Sequence, residues 1–179
     1  MKKHFLLLAA LATVAVACKD DDQVDDPHDD HEEELITTVK LTFTDSATSV
    51  STVYMFQDLD GDGGNAPTID TLVLDSSSTY FVNAEFLNES ETPSEDITPE
   101  IIAEDTEHLV CYSTSSNVGI EITDFDSNNL ELGLETTWST MSAENGSVML
   151  SLKHQPEVKD GSCSVGETDV EVDFPLIVQ

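Results

Sequence analysis

Asp58-Leu59-Asp60-Gly61-Asp62-Gly63 is the stretch whose residue types and spacing come nearest to a chemical site. Carboxylates at its first, third and fifth positions can converge on one hard cation, and glycine at the sixth permits the sharp turn that this takes. The Gly64 carbonyl offers a further oxygen at the seventh position. At the twelfth, where an EF-hand loop places a bidentate Glu, stands Ile69, and Asp70 follows one residue later. The flanks, Val53 to Phe56 and Leu72 to Leu74, read as strands rather than helices. The expectation is therefore a calcium loop joining strands, with Asp58, Asp60, Asp62, Gly64 and Asp70 supplying oxygens. The plain alternative is a turn, because Asp and Gly tolerate turn dihedrals. Without the twelfth ligand the loop would hold Ca²⁺ weakly, with a dissociation constant on the order of 10⁻⁴ to 10⁻³ M.

Other metal-ligating residues are few. His28 and His31 sit among Asp29, Asp30 and Glu32, a mixture that can hold Zn²⁺ or Cu²⁺ weakly because imidazole suits those metals. The bland reading is a solvated segment with incidental histidines. His108 and His154 belong to no nucleophile or zinc-protease motif, and His108 reads as the last polar residue of a short helix. Carboxylates are too abundant for any pair to stand out as an acid and base, and no glycine-rich phosphate loop occurs. No catalytic set is legible, so the chain reads as a non-enzyme.

The elements that would position these residues are strands. Period-two alternation, which gives each strand one buried and one wet face, runs through Val39, Leu41 and Phe43 and through Tyr80, Val82, Ala84 and Phe86. It recurs at Val118 to Ile122, Leu130 to Leu134, Val148 to Leu152 and Val170 to Phe174. Shorter pieces at Val53 to Phe56, Leu72 to Leu74 and Leu109 to Tyr112 also fit. Eight or nine such strands, parted by Gly, Asn, Asp and Ser clusters, predict an all-β fold: a single antiparallel β-sandwich over residues 35–179. Thr98-Pro99-Glu100 looks like an N-cap, a first-turn proline and a first-turn acid, predicting one short helix from Pro99 to about Glu107. Trp138 falls in phase with Leu132 and Leu134 and is expected in the core.

Charge narrows the partners. The 179 residues include 37 acidic ones against 6 lysines, with no arginine. Such a chain cannot neutralise phosphates, which excludes nucleic acid as a partner. Self-repulsion strains its compact state, and bound cations would relieve that strain. Lys19 to Glu34 holds ten acidic residues in sixteen positions and almost nothing apolar, the composition of a disordered tether.

The N-terminus reads as an export signal. Lys2 and Lys3 precede an apolar run from Phe5 to Ala17, too short for a bilayer span of about 20 residues. Ala15-Val16-Ala17-Cys18 resembles the lipobox of bacterial lipoproteins, which implies removal of residues 1–17 and acylation of Cys18. An acyl anchor is held by roughly 0.8 kcal/mol per buried methylene. Cys18-Lys19-Asp20-Asp21-Asp22 resembles the signal that places Bacteroidota-type lipoproteins on the outer face of the outer membrane. Processing would leave 37 acidic residues against four lysines, a formal charge of −33. Cys111 and Cys163 then remain as an even pair in an exported chain, which reads as one disulfide, the alternative being two buried thiols.

Glu32-Glu33-Glu34-Leu35-Ile36-Thr37-Thr38-Val39 and Asp58 to Asn65 resemble stretches of small acidic Bacteroidota-type surface lipoproteins. Similar chains sometimes carry the label of a type 1 periplasmic binding fold, which implies two lobes of alternating strands and helices. Asp45-Ser46-Ala47 and Asp70-Thr71-Leu72 resemble the O-glycan acceptor sites of such proteins, at Ser46 and Thr71. Signal, tether, acidic charge and sandwich together point to a non-enzymatic cell-surface binding module holding divalent cations and accessory to an outer-membrane receptor. The other reading is a structural or adhesion module in which a cation only stabilises.

Overall fold

Alternating apolar residues need two sheets to bury one face of each, and that is how the chain folds. A computed structural model describes residues 35–61, 63–90 and 92–179. Cys18, His28, His31 and Asp62 lie outside the described residues. Eleven strands are formed among those described: β1 (Thr38–Asp45), β2 (Ser51–Gln57), β3 (Thr68–Ile69), β4 (Leu72–Leu74), β5 (Thr79–Asn88), β6 (Glu95–Asp96), β7 (His108–Thr114), β8 (Gly119–Ile122), β9 (Glu135–Ser139), β10 (Glu144–His154) and β11 (Glu167–Val178). One sheet runs β3-β2-β1-β5-β9-β8, with β6 added to β5, and the other runs β4-β11-β10-β7. The all-β sandwich expected from the alternation is what forms. The two lobes of alternating strands and helices implied by the binding-fold label do not, because the described residues carry a single short helix.

The sandwich is not wholly antiparallel. β4 pairs with β11 in parallel, Leu72 opposite Leu176 and Leu74 opposite Val178. Between the sheets, Val39, Leu41 and Phe43 of β1 and Val82, Ala84 and Phe86 of β5 face Val148, Leu150 and Leu152 of β10 and Val172, Phe174 and Leu176 of β11. Trp138 is fully buried and meets Phe43 edge to face, with ring centroids 4.9 Å apart, the geometry that aromatic quadrupoles favour. Its indole N–H donates to the Thr136 hydroxyl at 2.8 Å, so the one polar atom of the ring is satisfied in the core.

Two elements depart from the sequence reading. Leu130 to Leu134 alternates as a strand would, yet it is a crossing segment. The Val110 N–H of one sheet donates to the Leu132 carbonyl at 2.8 Å, and the Ala84 N–H of the other donates to the Leu134 carbonyl at 2.9 Å. Gly133 turns the corner between them at φ +89°, and a Cβ there would lie 2.4 Å from the Val110 carbonyl oxygen. Gly133→Ala combines a left-handed backbone with that clash. It is expected to cost about 2–3 kcal/mol, read as a lower urea midpoint with an unchanged slope.

The helix, α1 (Thr98–Ala103), ends four residues before Glu107. Thr98 is not its cap: Ile97 holds that position with no side-chain cap bond, while the Thr98 hydroxyl accepts from the Phe86 N–H at 3.0 Å and so pins α1 to the end of β5. Residues 104–107 form a turn, and His108 opens β7 instead of closing the helix.

Candidate metal centre

The ends of β1, β2 and β11 meet at one end of the sandwich, around a cleft of about 450 Å³ lined by Ile36, Phe56, Asp58, Thr168 and Glu171 among others. The Asp58 loop leaves β2 here. Its described carboxylates, Asp58 and Asp60, hold their own loop. The Gly61 N–H donates to Asp58 at 3.1 Å, and the Asn65 backbone and side-chain amides donate to Asp60 at 3.0 and 2.6 Å. Asp70 accepts from the Met55 N–H at 2.9 Å and so staples β2 to β3. The Asn65 bonds hold the Asp60 carboxyl below its ordinary pKa. Among the described residues, Asp58, Asp60 and Asp70 do not gather into a group of ligands. Gly64 lies exposed in the loop with its N–H bonded to the Gly61 carbonyl at 3.2 Å.

The gathering occurs elsewhere at this end of β10 and β11. Glu104, His108 and His154 bring one ligand atom each to within 4.8 Å of one another. Three elements supply them. Glu104 caps the C-terminus of α1, His108 begins β7, and His154 ends β10. The two histidines face each other on one rung of the β7–β10 ladder. Direct antiparallel partners have Cβ atoms about 4.5–5.5 Å apart, and the rings accordingly stack, with centroids 4.9 Å apart and planes 9° from parallel. His154 continues the buried face of Val148, Leu150 and Leu152, and His108 that of Val110. Both are buried, at 1% and 8% exposure, with Glu104 on the solvent side.

Neighbouring groups fix this arrangement. His108 Nδ1 lies 3.2 Å from the Glu104 carbonyl oxygen. A carbonyl only accepts, so Nδ1 carries the proton and Nε2 carries the lone pair. Burial drives the His108 pKa down to about 4, opposed by the Glu104 carbonyl and reinforced by the second imidazole. His108 is therefore a neutral ring at any pH above that value. His154 Nε2 sits 3.9 Å from the Glu107 carboxylate. Behind His154, the Gln155 N–H donates to the Glu107 carbonyl at 2.6 Å, and the Gln155 side-chain amide donates to the Ser162 and Val165 carbonyls at 2.8 and 2.9 Å. Gly166 packs against the His154 carbonyl so closely that a Cβ would come within 2.2 Å of its oxygen. The loop from Gln155 to Gly166 is thus folded down onto His154.

That loop carries two further anchors. Lys159 reaches inward to Asp126 at 2.8 Å, with side chains only 2% and 0% exposed, and donates to the Asp105 carbonyl at 2.8 Å. Burial pushes the Asp126 carboxyl up, but Lys159 and the N–H groups of Leu130 and Asn128 outweigh it, and its pKa falls below the ordinary value. Cys163 is bridged to Cys111 of β7, with Cα atoms 6.0 Å apart, as the even pair of cysteines predicted.

Of the acceptor sites, Ser46 is exposed in the β1–β2 turn and Thr71 is half-buried between β3 and β4. The histidine pair escaped the sequence reading because the helix was extended over His108. The signal that finds it is phase: His154 follows Leu150 and Leu152 at period two, and His108 precedes Val110 in the same way. No protein-family model, no curated protein and no solved structure matches this chain.

Proposed function

We propose that the protein is a non-enzymatic, lipid-anchored module of the outer cell surface whose sandwich holds a divalent cation, accessory to an outer-membrane receptor. The observation that carries the binding part is the meeting of Glu104, His108 and His154 within 4.8 Å at one end of the fold. Imidazole and carboxylate are metal donors, and a buried pair of rings with a carboxylate at its mouth is a site open on one side. Anchoring rests on the apolar run to Ala17 and on Cys18. The acidic surface would be repelled by anionic headgroups, so an acyl chain is needed to hold the module at a membrane.

One preparation tests both parts. Protein extracted from membranes is expected to show cleavage before Cys18 plus acyl mass, and Cys18→Ala protein is expected in the soluble fraction. After chelation and dialysis, the same protein is expected to rebind one equivalent of a divalent cation from a panel of Ca²⁺, Mg²⁺, Mn²⁺, Zn²⁺ and Cu²⁺. Retention of Cys18→Ala with membranes would overturn the anchor, and failure to bind any member of the panel would overturn the cation reading.

A further inference from the structure

We infer that Glu104, His108 and His154 form a site for a borderline transition-metal ion of the Zn²⁺ or Cu²⁺ class, in preference to Ca²⁺ or Mg²⁺. The inference rests on the cation-holding reading above and adds the class of ion and its ligands. Donor type decides the class. Two of the three side chains are imidazoles, which suit Zn²⁺ and Cu²⁺, whereas Ca²⁺ takes six to eight oxygens and Mg²⁺ a near-octahedral oxygen shell. Glu104 is the one carboxylate of the group and Glu107 stands next to it, 3.9 Å from His154 Nε2, together still too few oxygens for the six- to eight-oxygen shell of Ca²⁺ or the octahedron of Mg²⁺.

The surroundings are those a metal-ligating histidine requires. His108 donates its Nδ1 proton to the Glu104 carbonyl, the outer bond that sets the tautomer and aims the remaining lone pair. The rigid ladder rung and the loop pinned by Gln155 keep both rings at one end of the sheet. Three protein ligands leave a fourth tetrahedral position to solvent.

Capture requires a definite movement. In tetrahedral coordination with Zn–N bonds of 2.0–2.1 Å, ligand atoms stand about 3.3 Å apart, closer than the 4.8 Å span seen here. Parallel rings direct their lone pairs along parallel planes, so binding tilts the imidazoles out of their 9° stack. The rings should therefore report the ion directly.

The test uses full-length protein carrying His28→Ala and His31→Ala, which removes the histidines of the acidic segment as competing ligands. Zn²⁺ titrated calorimetrically is expected to bind one equivalent at least tenfold more tightly than Ca²⁺, and the imidazole NMR signals of His108 and His154 are expected to shift together. Glu104→Gln, on the solvent side, is expected to weaken Zn²⁺ at least tenfold, and His154→Phe, which keeps an aromatic ring in the stack, to abolish stoichiometric binding. If His154→Phe does not melt cooperatively, Glu104→Gln decides. Zn²⁺ bound no tighter than Ca²⁺, or unaffected by Glu104→Gln, overturns the inference. One equivalent of Ca²⁺ with no Zn²⁺ would do so while leaving the broader cation reading standing.

Discussion

Lys159→Met is expected to destabilise the protein by roughly 3–5 kcal/mol, because removing one partner of a buried ion pair strands the other charge. Lys159 and Asp126 are 2% and 0% exposed and 2.8 Å apart. In the variant the Asp126 carboxylate keeps the Asn128 and Leu130 N–H bonds, each 2.8 Å long, but loses its counter-charge. Asp126→Asn added to Lys159→Met should restore part of the loss, since the amide oxygen can still accept from those N–H groups. The pH dependence has a definite sign. In wild type the Asp126 pKa is depressed on folding, so its contribution is present above the ordinary carboxyl value of 3.8 and is lost as pH falls through the lower folded value. In Lys159→Met the lowering by the ammonium is gone while burial and the two N–H bonds remain, so the folded carboxyl stands above its wild-type value. The deficit of the variant is therefore largest at neutral pH and shrinks as pH falls into the carboxyl range. Urea melts of both proteins between pH 4 and 7 measure this. Equal midpoints at pH 7 would show that the pair contributes nothing net.

Removing the Cys111–Cys163 bridge carries a comparable penalty. The residues are 52 apart in sequence, and the chain-entropy model gives about 4 kcal/mol for closing a loop of that size. For a domain of this length that is a fall of roughly 10 °C in the melting temperature. The expected result is a reduced or Cys111→Ala/Cys163→Ala protein that melts cooperatively at the lower temperature. The bridge closes its loop from β7, the strand of His108, to the segment folded onto His154, so the double variant should also loosen the imidazole stack. An unchanged melting temperature on reduction would mean that the loop is ordered by Gln155 and Lys159 alone.

The core was legible because burial on one face leaves a period-two trace. Val39 to Phe43, Tyr80 to Phe86, Val148 to Leu152 and Val170 to Phe174 all fall in strands. Leu130 to Leu134 misled because its alternation serves two sheets in turn, and a glycine corner leaves no mark on hydropathy. β3 and β6 are two residues each, too short for any period. The helix was placed rightly, but its end was hidden, since Glu104 to Glu107 offers neither glycine nor proline to announce a stop. The candidate site was illegible for a different reason. His108 and His154 stand 46 positions apart in the chain, and only the register of β7 on β10 makes them neighbours. A contiguous motif such as the Asp58 loop draws the eye, yet its described carboxylates are used in turn hydrogen bonds.

The parallel pairing of β4 with β11 has a kinetic consequence. Leu72 to Leu74 meet their sheet partners at Leu176 to Val178, 104 positions later, and β11 lies between β4 and β10. A chain that emerges N-terminus first can close the β1–β2 hairpin early, but β4 has no neighbour in its sheet until β11 arrives. Loop closure over such a distance places folding in the slow regime of β topologies, milliseconds to seconds. Leu72 and Leu74, both buried in the finished fold, therefore stay without their sheet partners until the C-terminal strand has been made.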